Sequence, residues 1–479
     1  MAMAALCHLR QGGDYAHQEM ISTEPEGIAR PTRPSISSDA PKGGVLGLLP
    51  ELSRDALGLL TRCTRDYGDL VRIRLGLTPV VVVGHPSLVE EVLVTRNHDY
   101  RKSLSTRKLG SLLGNGLLLS EGDFWLRQRR LMQPAFHRER LSRMAETMVA
   151  SATEVLETWR DGEVHAINHE MIEITLRIVA RTLFGAELGE DLERIRRTSP
   201  VMNEHFRSRL FSMFILMPDA VPTPGNLRYQ AAVRDLEHLV YRIIAERRAS
   251  GERKDDLVDM LLAARDDAGQ GMNDRQLRDE VMTLVLAGHD TTALALTWAW
   301  VLLAHHPDVD GRLRAEIDTI VGNRLPTAAD VPQLSHANSV VNETLRLYPT
   351  AWAIGRESVR DTQIGGQHVA RGTTVLIAPW SIHRDPRFFD APDEFRPERW
   401  SDGLADRLPR YAYLPFGGGQ RVCIGSSFAQ LEAILVLTSI AQRFRLRLVD
   451  PTRPVEPWPV VTLRTREDVP MRLECVPRV

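Results

Sequence analysis

The stretch that decides the fold is Tyr413-Leu414-Pro415-Phe416-Gly417-Gly418-Gly419-Gln420-Arg421-Val422-Cys423-Ile424-Gly425. After it, from Phe428 to Leu437, apolar side chains recur at helical spacing, so Cys423 is expected just before a helix N-terminus. The free amides and the dipole at such an end favour an anion and lower the pKa of a thiol. Because glycine lets the backbone come close to a bulky group, the loop is predicted to present a thiolate to something large.

The composition is that of an ordinary globular chain with room for a large core. Of 479 residues, 43% are hydrophobic and 25% are charged, and the net charge is −2. This near-neutral balance gives no whole-protein signal for binding nucleic acid. A disulfide framework or a zinc site is not expected, and a reducing, cytoplasmic location is predicted. Both interpretations depend on the wide separation of the four cysteines, Cys7, Cys63, Cys423 and Cys475.

The N-terminal segment, residues 1–40, mixes glycine, serine, proline and charged residues without a long apolar run. It is predicted to be flexible and to hold neither a secretory signal nor a transmembrane anchor. A single domain is expected over residues 41–479, mainly α with a smaller β part. It would begin with a helix that buries Cys63, followed by two strands at 70–75 and 78–83.

The longest predicted helix runs from about Asn273 to His305 and would span roughly 50 Å. Asp290 near its centre disfavours a membrane span. The apolar segment 211–218 is either a lid over an apolar cavity, a weak membrane contact or a short buried helix. The stretch Ser120-Glu121-Gly122-Asp123 is a capping signal for the helix that carries Trp125. Further helices are expected near 139–160, 168–184, 189–207, 226–249, 255–266 and 335–347.

Five motifs, in order along the chain, resemble those of the cytochrome P450 family. The spacing Phe416-x-x-Gly419-x-Arg421-x-Cys423-x-Gly425 matches the haem-binding loop of that family at all five positions. The resemblance covers roughly residues 41 to 479. It implies the family fold, with haem b between the long central helix and the helix after the cysteine loop. The other four motifs are Trp125-x-x-x-Arg129, Ala287-Gly288-His289-Asp290-Thr291-Thr292, Glu343-Thr344-Leu345-Arg346 and Pro397-Glu398-Arg399-Trp400.

The resemblance also implies the residues that contact haem. Cys423 would be the only protein ligand of the iron, as a thiolate that donates electron density and favours O–O cleavage. Phe416 and Gly425 would contact the cofactor from the same loop. The two negative propionates would accept a hydrogen bond from the Trp125 indole and pair with arginines, whose forked donors suit carboxylates. These arginines are Arg129, Arg356 and Arg421.

The resemblance identifies the middle of the long helix as an oxygen-activation segment. Asp290 and Thr291 would be the acid–alcohol pair that delivers protons with the help of water. Ala287 and Gly288 would leave room for O2, and His289 is expected to pack against other helices. A structural ion-pair network, not a catalytic role, is expected for Glu343, Arg346 and Arg399.

The expected function is a haem-thiolate monooxygenase that oxidises a hydrophobic small molecule, such as a terpenoid, a fatty acyl chain or a polyketide-like compound. Electrons would come from a separate ferredoxin or flavodoxin with its NAD(P)H reductase, since the chain holds no dinucleotide-binding fingerprint. A basic patch could receive such an acidic partner, although a solvated helix face is an equal alternative; it comprises Arg127, Arg130, Arg138 and Arg140. The resemblance places apolar residues around the substrate: Leu109, Leu112, Leu113, Leu284, Ala287, Ala351, Trp352, Ala353 and Leu463.

Two alternatives to this function remain open. One is a family member that uses peroxide or rearranges hydroperoxides, and the other is a haem sensor or carrier without turnover. The acid–alcohol pair Asp290 and Thr291 speaks against the first, because a peroxide reaction makes a proton relay dispensable. It also speaks against the second, because a carrier has no use for a proton relay.

Overall fold

The structure is a computed structural model, and it describes residues 34–36, 41, 43–185, 189–210, 212, 215, 217–251, 256–266 and 269–476. The segment predicted to be flexible, residues 1–40, lies outside the described residues except for 34–36. Four residues of the apolar segment 211–218 also lie outside them, so the three interpretations of that segment stay predictions.

Within the described ranges the chain forms eighteen α-helices, numbered in chain order. They are α1 Leu49–Arg54, α2 Ala56–Asp66, α3 Pro86–Glu90, α4 Leu104–Arg107, α5 Gly110–Leu113, α6 Gly122–Met132, α7 Arg138–Leu156, α8 Ile167–Phe184, α9 Glu190–Leu210, α10 Pro224–Ser250, α11 Leu257–Ala263, α12 Asp274–His305, α13 Pro307–Ile320, α14 Ser335–Leu347, α15 Pro379–Ile382, α16 Glu398–Ser401, α17 Leu404–Arg407 and α18 Ser426–Arg443.

The same ranges hold twelve strands. They are β1 Leu70–Leu75, β2 Thr78–Val83, β3 Tyr100–Lys102, β4 Val164–Ala166, β5 Ile354–Ser358, β6 Thr362–Ile364, β7 Gln367–Val369, β8 Thr374–Ile377, β9 Phe444–Leu448, β10 Pro457–Pro459, β11 Leu463–Thr465 and β12 Pro470–Cys475. The chain is therefore mostly helical with small sheets, as the sequence predicts.

The predicted central helix is confirmed as α12, which has 32 residues and is about 48 Å long. It begins at a capping box in which the Asn273 side chain accepts from the Gln276 amide and the Gln276 side chain accepts from the Asn273 amide. It packs along α8 and also contacts α10, α14 and α18. The helix thus crosses the helical core from end to end and can carry residues of a site in its middle.

A five-stranded sheet in the order β1-β2-β8-β5-β3 flanks this helical core. Strands β2 and β8 are parallel, and the other neighbouring pairs are antiparallel. In the antiparallel register of β3 and β5, Lys102 lies directly opposite Arg356. Two like charges in that position destabilise a sheet unless an anion accompanies them. The fold itself therefore indicates an anion site at this edge.

The capping signal at residues 120–123 is correct in its position and wrong in its mechanism. Helix α6 begins at Gly122, directly after Glu121, but no side chain caps it. Instead, the Ser120 carbonyl accepts a hydrogen bond of 2.8 Å from Arg421, and the Glu121 carboxylate pairs with the same guanidinium. The start of α6 is therefore tied to the cysteine loop, a contact that local capping rules do not address.

Two neighbouring carboxylates of α12 hold the segment between α5 and α6. Asp279 accepts from the Asn115 amide at 2.8 Å, and Glu280 accepts from the Leu117 amide at 2.8 Å. Glu280 is fully buried, and burial raises its pKa to about 8 even though the Leu117 N–H favours the charged form. The charge on this carboxylate therefore changes near neutral pH.

This raised pKa predicts a pH-dependent stability. A carboxyl whose pKa rises from 4.5 to about 8 on folding stabilises the native state at low pH and loses that contribution as pH rises between these values. The loss is about 1.4 kcal/mol per pH unit. We expect Glu280→Gln to become more stable relative to the parent protein as pH rises, measured by denaturant unfolding at several pH values. The control Glu246→Gln, at an exposed position of α10, should show a constant difference, and a constant difference for Glu280→Gln would contradict the prediction.

Candidate functional site

The cysteine loop places Cys423 three residues before α18, as predicted, with Gly425 as the residue that caps the helix. The Cys423 amide donates to the Phe416 carbonyl at 3.0 Å, which closes the loop on itself. The Gly425 N–H donates to the sulfur, and the Arg129 guanidinium lies close enough to favour a thiolate. The Cys423 side chain nevertheless remains accessible, so the loop presents its sulfur to open space.

The predicted lowering of the thiol pKa is wrong in its net direction. Although Cys423 is exposed, the protein atoms around its sulfur remove water from it, and this desolvation raises the pKa of Cys423 by more than the Gly425 N–H and the Arg129 charge lower it. The helix end alone therefore does not produce a thiolate. A bound metal ion removes the proton outright, because a coordinating thiol is deprotonated. The sulfur is thus suited to a metal ligand, and less to a free nucleophile.

Two glycines of the loop serve contacts within the protein. A Cβ at Gly419, whose φ is +64°, would lie 2.1 Å from the Leu93 carbonyl oxygen, and a Cβ at Gly418 would lie 2.4 Å from the Tyr411 ring. These glycines were expected from the sequence to admit a bulky group. Instead, both allow the loop to pack closely against neighbouring protein residues. A Cβ at Gly417, with φ +72°, would meet nothing closer than 3.9 Å.

The predicted cationic residues come together beside the loop. The Arg421 guanidinium lies 4.0 Å above the centre of the Trp125 ring, which orients both groups. Arg129 donates to the Val422 carbonyl at 2.6 Å, directly before Cys423. Arg356 lies near Arg421, and burial together with that neighbouring charge lowers its pKa to about 10. The structure thus joins residues from α6, β5 and the loop into one site.

The sequence did not single out Lys102, which belongs to the same cluster. Its side chain is buried, and its pKa lies well below the ordinary value because of burial and of the charges on Arg356 and Arg421. Within the part of the chain that the structure describes, no carboxylate forms an ion pair with it. Only the pairing of β3 with β5 could have shown that this lysine faces Arg356.

The charges of this cluster suit a haem with two propionates. Arg129, Arg356 and Arg421 supply three positive charges, Lys102 adds a buried amine that an anion would help to protonate, and Glu121 supplies one negative charge. Buried cations without partners are costly, so the cluster calls for further anions. Two propionates and the Cys423 thiolate would supply three negative charges. The residues present therefore fit the group that the sequence motifs imply.

The middle of α12 carries the predicted acid–alcohol pair, and its surroundings are more specific than the sequence suggested. Asp290 accepts from the Thr462 hydroxyl at 3.1 Å and forms an ion pair with Arg464 of β11. Thr291 donates its hydroxyl to the Ala287 carbonyl at 2.7 Å. This bond occupies the hydroxyl proton and leaves the lone pairs of Oγ1 free to accept. The resemblance placed residues 462–464 near the substrate, but it did not predict that Thr462 and Arg464 contact Asp290, because both lie far from α12 in the chain.

The neighbours of this pair divide between two faces of α12. Ala287 is exposed, as expected for a residue beside an open site. Gly288 points elsewhere, because a Cβ there would lie 3.1 Å from Val179 of α8. The expectation that Gly288 leaves room for O2 is therefore wrong: it permits close packing of α8. His289 is buried, and its carbonyl accepts from Thr175 of α8 at 3.0 Å, so it packs between helices as expected.

A buried acid that the sequence analysis did not single out lies behind this segment. Glu432 of α18 has no exposed surface and lies against Thr292 of α12. Burial raises the pKa of this carboxyl well above the ordinary range, although a hydrogen bond from Thr292 acts in the opposite direction. Burial therefore favours the uncharged form of Glu432 between the two helices that flank the candidate site.

Some residues expected around a substrate have another role. Leu463 has no exposed surface and belongs to a core cluster with Trp352, whose indole donates to the Val460 carbonyl at 3.2 Å. Ala351 and Ala353 are partly exposed and remain compatible with a cavity wall.

In the predicted basic patch, Arg127 forms an ion pair of 2.5 Å with Asp266, whereas Arg130 and Arg138 are exposed.

The residues that the structure describes contain no group of three or more histidine, cysteine, aspartate and glutamate side chains that could hold a metal ion. None of the helices in the described ranges is long and apolar enough to cross a membrane.

Comparisons with known proteins agree with this geometry. A family model described as "Cytochrome P450" matches residues 40–469. The chain is 39% identical over 416 residues to "Cyclooctatin synthase" of Streptomyces melanosporofaciens, and the aligned region covers 86% of this chain and 89% of the relative. It is 36% identical over 434 residues to "Cyclooctat-9-en-7-ol 5-monooxygenase" of the same organism, which covers 90% and 94%. It is 35% identical over 412 residues to "Pentalenene oxygenase" of Streptomyces avermitilis, which covers 85% and 90%.

Proposed function

The chain belongs to the cytochrome P450 family, and on that premise we propose that it binds haem b through Cys423 and hydroxylates a cyclic terpenoid of low polarity. The reaction class is that of the family and of relatives named as monooxygenases: one atom of O2 enters a hydrophobic small molecule. The single observation that carries the assignment of the site is the accessible Cys423 residue beside three partly buried arginines and the buried Lys102.

The residues of the cluster would hold the cofactor in one orientation. Haem with a thiolate ligand supplies the electron donation that favours O–O cleavage. Cys423 would be that ligand, and the Gly425 N–H would tune the charge on its sulfur. Arg356, Arg421 and Lys102 would pair with the propionates from one side of the site.

The proton chemistry would belong to Asp290 and Thr291. Thr291 Oγ1 can accept a hydrogen bond from a water molecule while its own hydroxyl proton is donated to the Ala287 carbonyl. Asp290 would exchange protons with water, and Arg464 and Thr462 fix where its carboxylate points. A route for protons therefore runs from β11 to the face of α12 that Ala287 leaves open.

Replacing Thr291 by alanine is expected to uncouple the reaction. The variant should consume reductant at a similar rate but form several-fold less product and release more hydrogen peroxide, because the hydroxyl that holds the proton is missing. Product, peroxide and reductant are measured in the same reaction. Thr297→Ala is the matched control, since Thr297 makes the same bond, 2.8 Å to the Ala293 carbonyl, elsewhere on α12. Equal coupling in both variants would remove Thr291 from the mechanism.

The substrate class rests on the named relatives and on the apolar surroundings of the site. The names of two relatives contain cyclooctat-9-en-7-ol and pentalenene. In this chain, the small side chains of Ala287, Ala351 and Ala353 provide uncharged surface at the site. The test is a binding screen, read from the haem spin-state change, with cyclic terpenoid hydrocarbons and mono-alcohols against fatty acids and macrolides. Terpenoids should give the largest change and a product that takes its oxygen from labelled O2. A response to fatty acids or macrolides alone would reject the terpenoid assignment.

Electrons would come from a separate ferredoxin or flavodoxin with its NAD(P)H reductase. The exposed Arg130 and Arg138 lie near the Cys423 end of the molecule, next to the exposed Leu126 on α6. An acidic partner would be attracted to this surface, so turnover should fall as salt is added. Arg130→Glu should raise the KM for a ferredoxin several-fold and weaken the salt dependence, whereas Arg371→Glu, outside the patch, should change neither. Salt-independent turnover would count against the patch.

A comparison of two oxidants tests the alternative that the protein uses peroxide in place of O2. Turnover with O2 and a reductase should exceed turnover with added hydrogen peroxide, because Asp290 and Thr291 are of use only when protons must be delivered. The reverse order of rates would favour the alternative. The cytoplasmic location expected from the sequence stays a prediction.

A further inference from the structure

A small cavity lies between α12 and the helices α8, α9 and α10. It has a volume of about 20 Å³ and is lined by side chains of these four helices. Every residue of its wall is apolar, and most of them have almost no exposed surface. Those used below are Val179, Ala180, Leu239, Val240, Val285 and Leu286.

The chemistry of the wall excludes water and favours an apolar gas. The volume exceeds the roughly 10–15 Å³ that one water needs, but a buried water also needs two to four polar partners. The wall side chains offer carbon atoms and one methionine sulfur, and the backbone groups of the helices are already bonded within the helices. Cavities of this kind stay dry and take up molecules such as xenon.

The position of the cavity connects it with oxygen chemistry. Val285 and Leu286 of its wall immediately precede the exposed Ala287. Val179 forms the opposite wall and is also the residue against which Gly288 packs, so one side chain separates the cavity from the glycine of this segment. Thr291 follows Leu286 of the wall by five residues, which is about 7.5 Å along the axis of α12.

We propose that this cavity is a binding site for dioxygen, which waits there beside the segment of α12 where it is consumed. Dioxygen is apolar and leaves water readily for an apolar enclosure. The identity of the gas rests on the proposed monooxygenase function, whereas the ability of the cavity to hold a small apolar gas does not. The alternative is that this cavity is one of the few packing voids found in any protein interior. Filling such a void would not change the use of oxygen.

Xenon-pressurised crystals of the haem-containing protein test the site without turnover. A xenon peak is expected inside the cavity of the parent protein. Val240→Ile, which adds one methylene to the wall, should remove most of the peak, and Leu239→Ala should increase it. Val155→Ile is the matched control, because it adds the same group to α7 outside the cavity. Absence of xenon from the parent cavity would overturn the proposal.

The steady-state KM for O2 tests the role of the site. Val240→Ile should raise this KM several-fold with little change in kcat, while Val155→Ile should leave both unchanged. Ala180→Val, a second substitution that fills the cavity, guards against a folding defect in the first, and the haem absorption spectrum checks folding in all variants. An unchanged KM for O2 in both filled variants that still fold would overturn the proposal even if xenon binds. If the parent protein itself shows no turnover, that result would instead count against the proposed function.

Discussion

Replacing Cys423 by histidine is expected to abolish the red-shifted band of the reduced carbon monoxide complex and to lower monooxygenase activity at least about a thousand-fold. The reason is electronic: only a thiolate donates enough charge to favour O–O cleavage. A factor of a thousand corresponds to about 4 kcal/mol in the barrier. Cys423 is exposed at the end of its loop, and the substitution removes the one sulfur that the loop presents to the site.

Haem binding itself should largely survive this substitution. Lys102, Arg356 and Arg421 lie on other elements and would still pair with two propionates. The variant should therefore retain haem, measured by its absorbance per protein, while its carbon monoxide spectrum changes. Cys475→His, at an exposed position of β12, is the control and should leave the spectrum as it is. A variant at position 423 that keeps the red-shifted band would show that another group is the ligand.

Local sequence patterns predicted those parts of the fold that neighbouring residues determine. The bounds of β1 and β2 agree with the expectation, and so do those of α14. The same holds for α12, because Asn273 and Gln276 form a capping box within one turn. Rules of this kind describe interactions over three or four residues, so they place elements along the chain without showing which elements meet.

The parts of the candidate site that the sequence did not show depend on contacts between distant segments. Arg464 reaches Asp290 from a position 174 residues away, and Lys102 meets Arg356 only through the register of β3 and β5. The motifs could be located, but their partners come from elements that carry no motif. For the same reason the net pKa direction of Cys423 was missed, since burial is a property of the whole fold.

The motif glycines show that a residue type can be identified correctly and its reason misjudged. Gly288 lies in the segment that the sequence identified, but its missing side chain serves α8. The same holds for Gly419, whose neighbour is the Leu93 carbonyl. Substitution of either glycine should therefore act first through packing and only then through chemistry.

Replacing Glu343 by glutamine is expected to destabilise the folded protein by about 3–5 kcal/mol, because it leaves a buried charge without its partner. Glu343 and Arg346 have no exposed surface. The Glu343 carboxylate accepts five hydrogen bonds: two from Arg346 at 2.9 Å and one each from the Arg399 side chain, the Trp400 indole and the Arg396 amide. Glutamine has one oxygen and two N–H donors in place of two oxygens, so its amide nitrogen would face donors.

Arg346 carries this loss into the region before the cysteine loop. Its guanidinium also donates to the carbonyls of His383, Pro392 and Glu394, so it holds three turns of the chain between β8 and α16. When Glu343 no longer balances its charge, these turns lose the group that orders them. The yield of haem-containing protein should therefore fall together with the midpoint of denaturant unfolding, while the carbon monoxide spectrum of the protein that does fold should stay unchanged.

Glu204→Gln on α9 separates this effect from the general cost of removing a glutamate. Glu204 and Arg207 form a pair at the same spacing of three residues, but their side chains are 60% and 47% exposed. An exposed pair contributes at most about 1 kcal/mol, since water screens it. The two substitutions make the same chemical change at the same spacing, so the difference between their unfolding free energies measures what burial adds to the Glu343–Arg346 pair. If both substitutions lower the unfolding free energy by the same amount, burial adds nothing to the Glu343–Arg346 pair and the prediction is wrong.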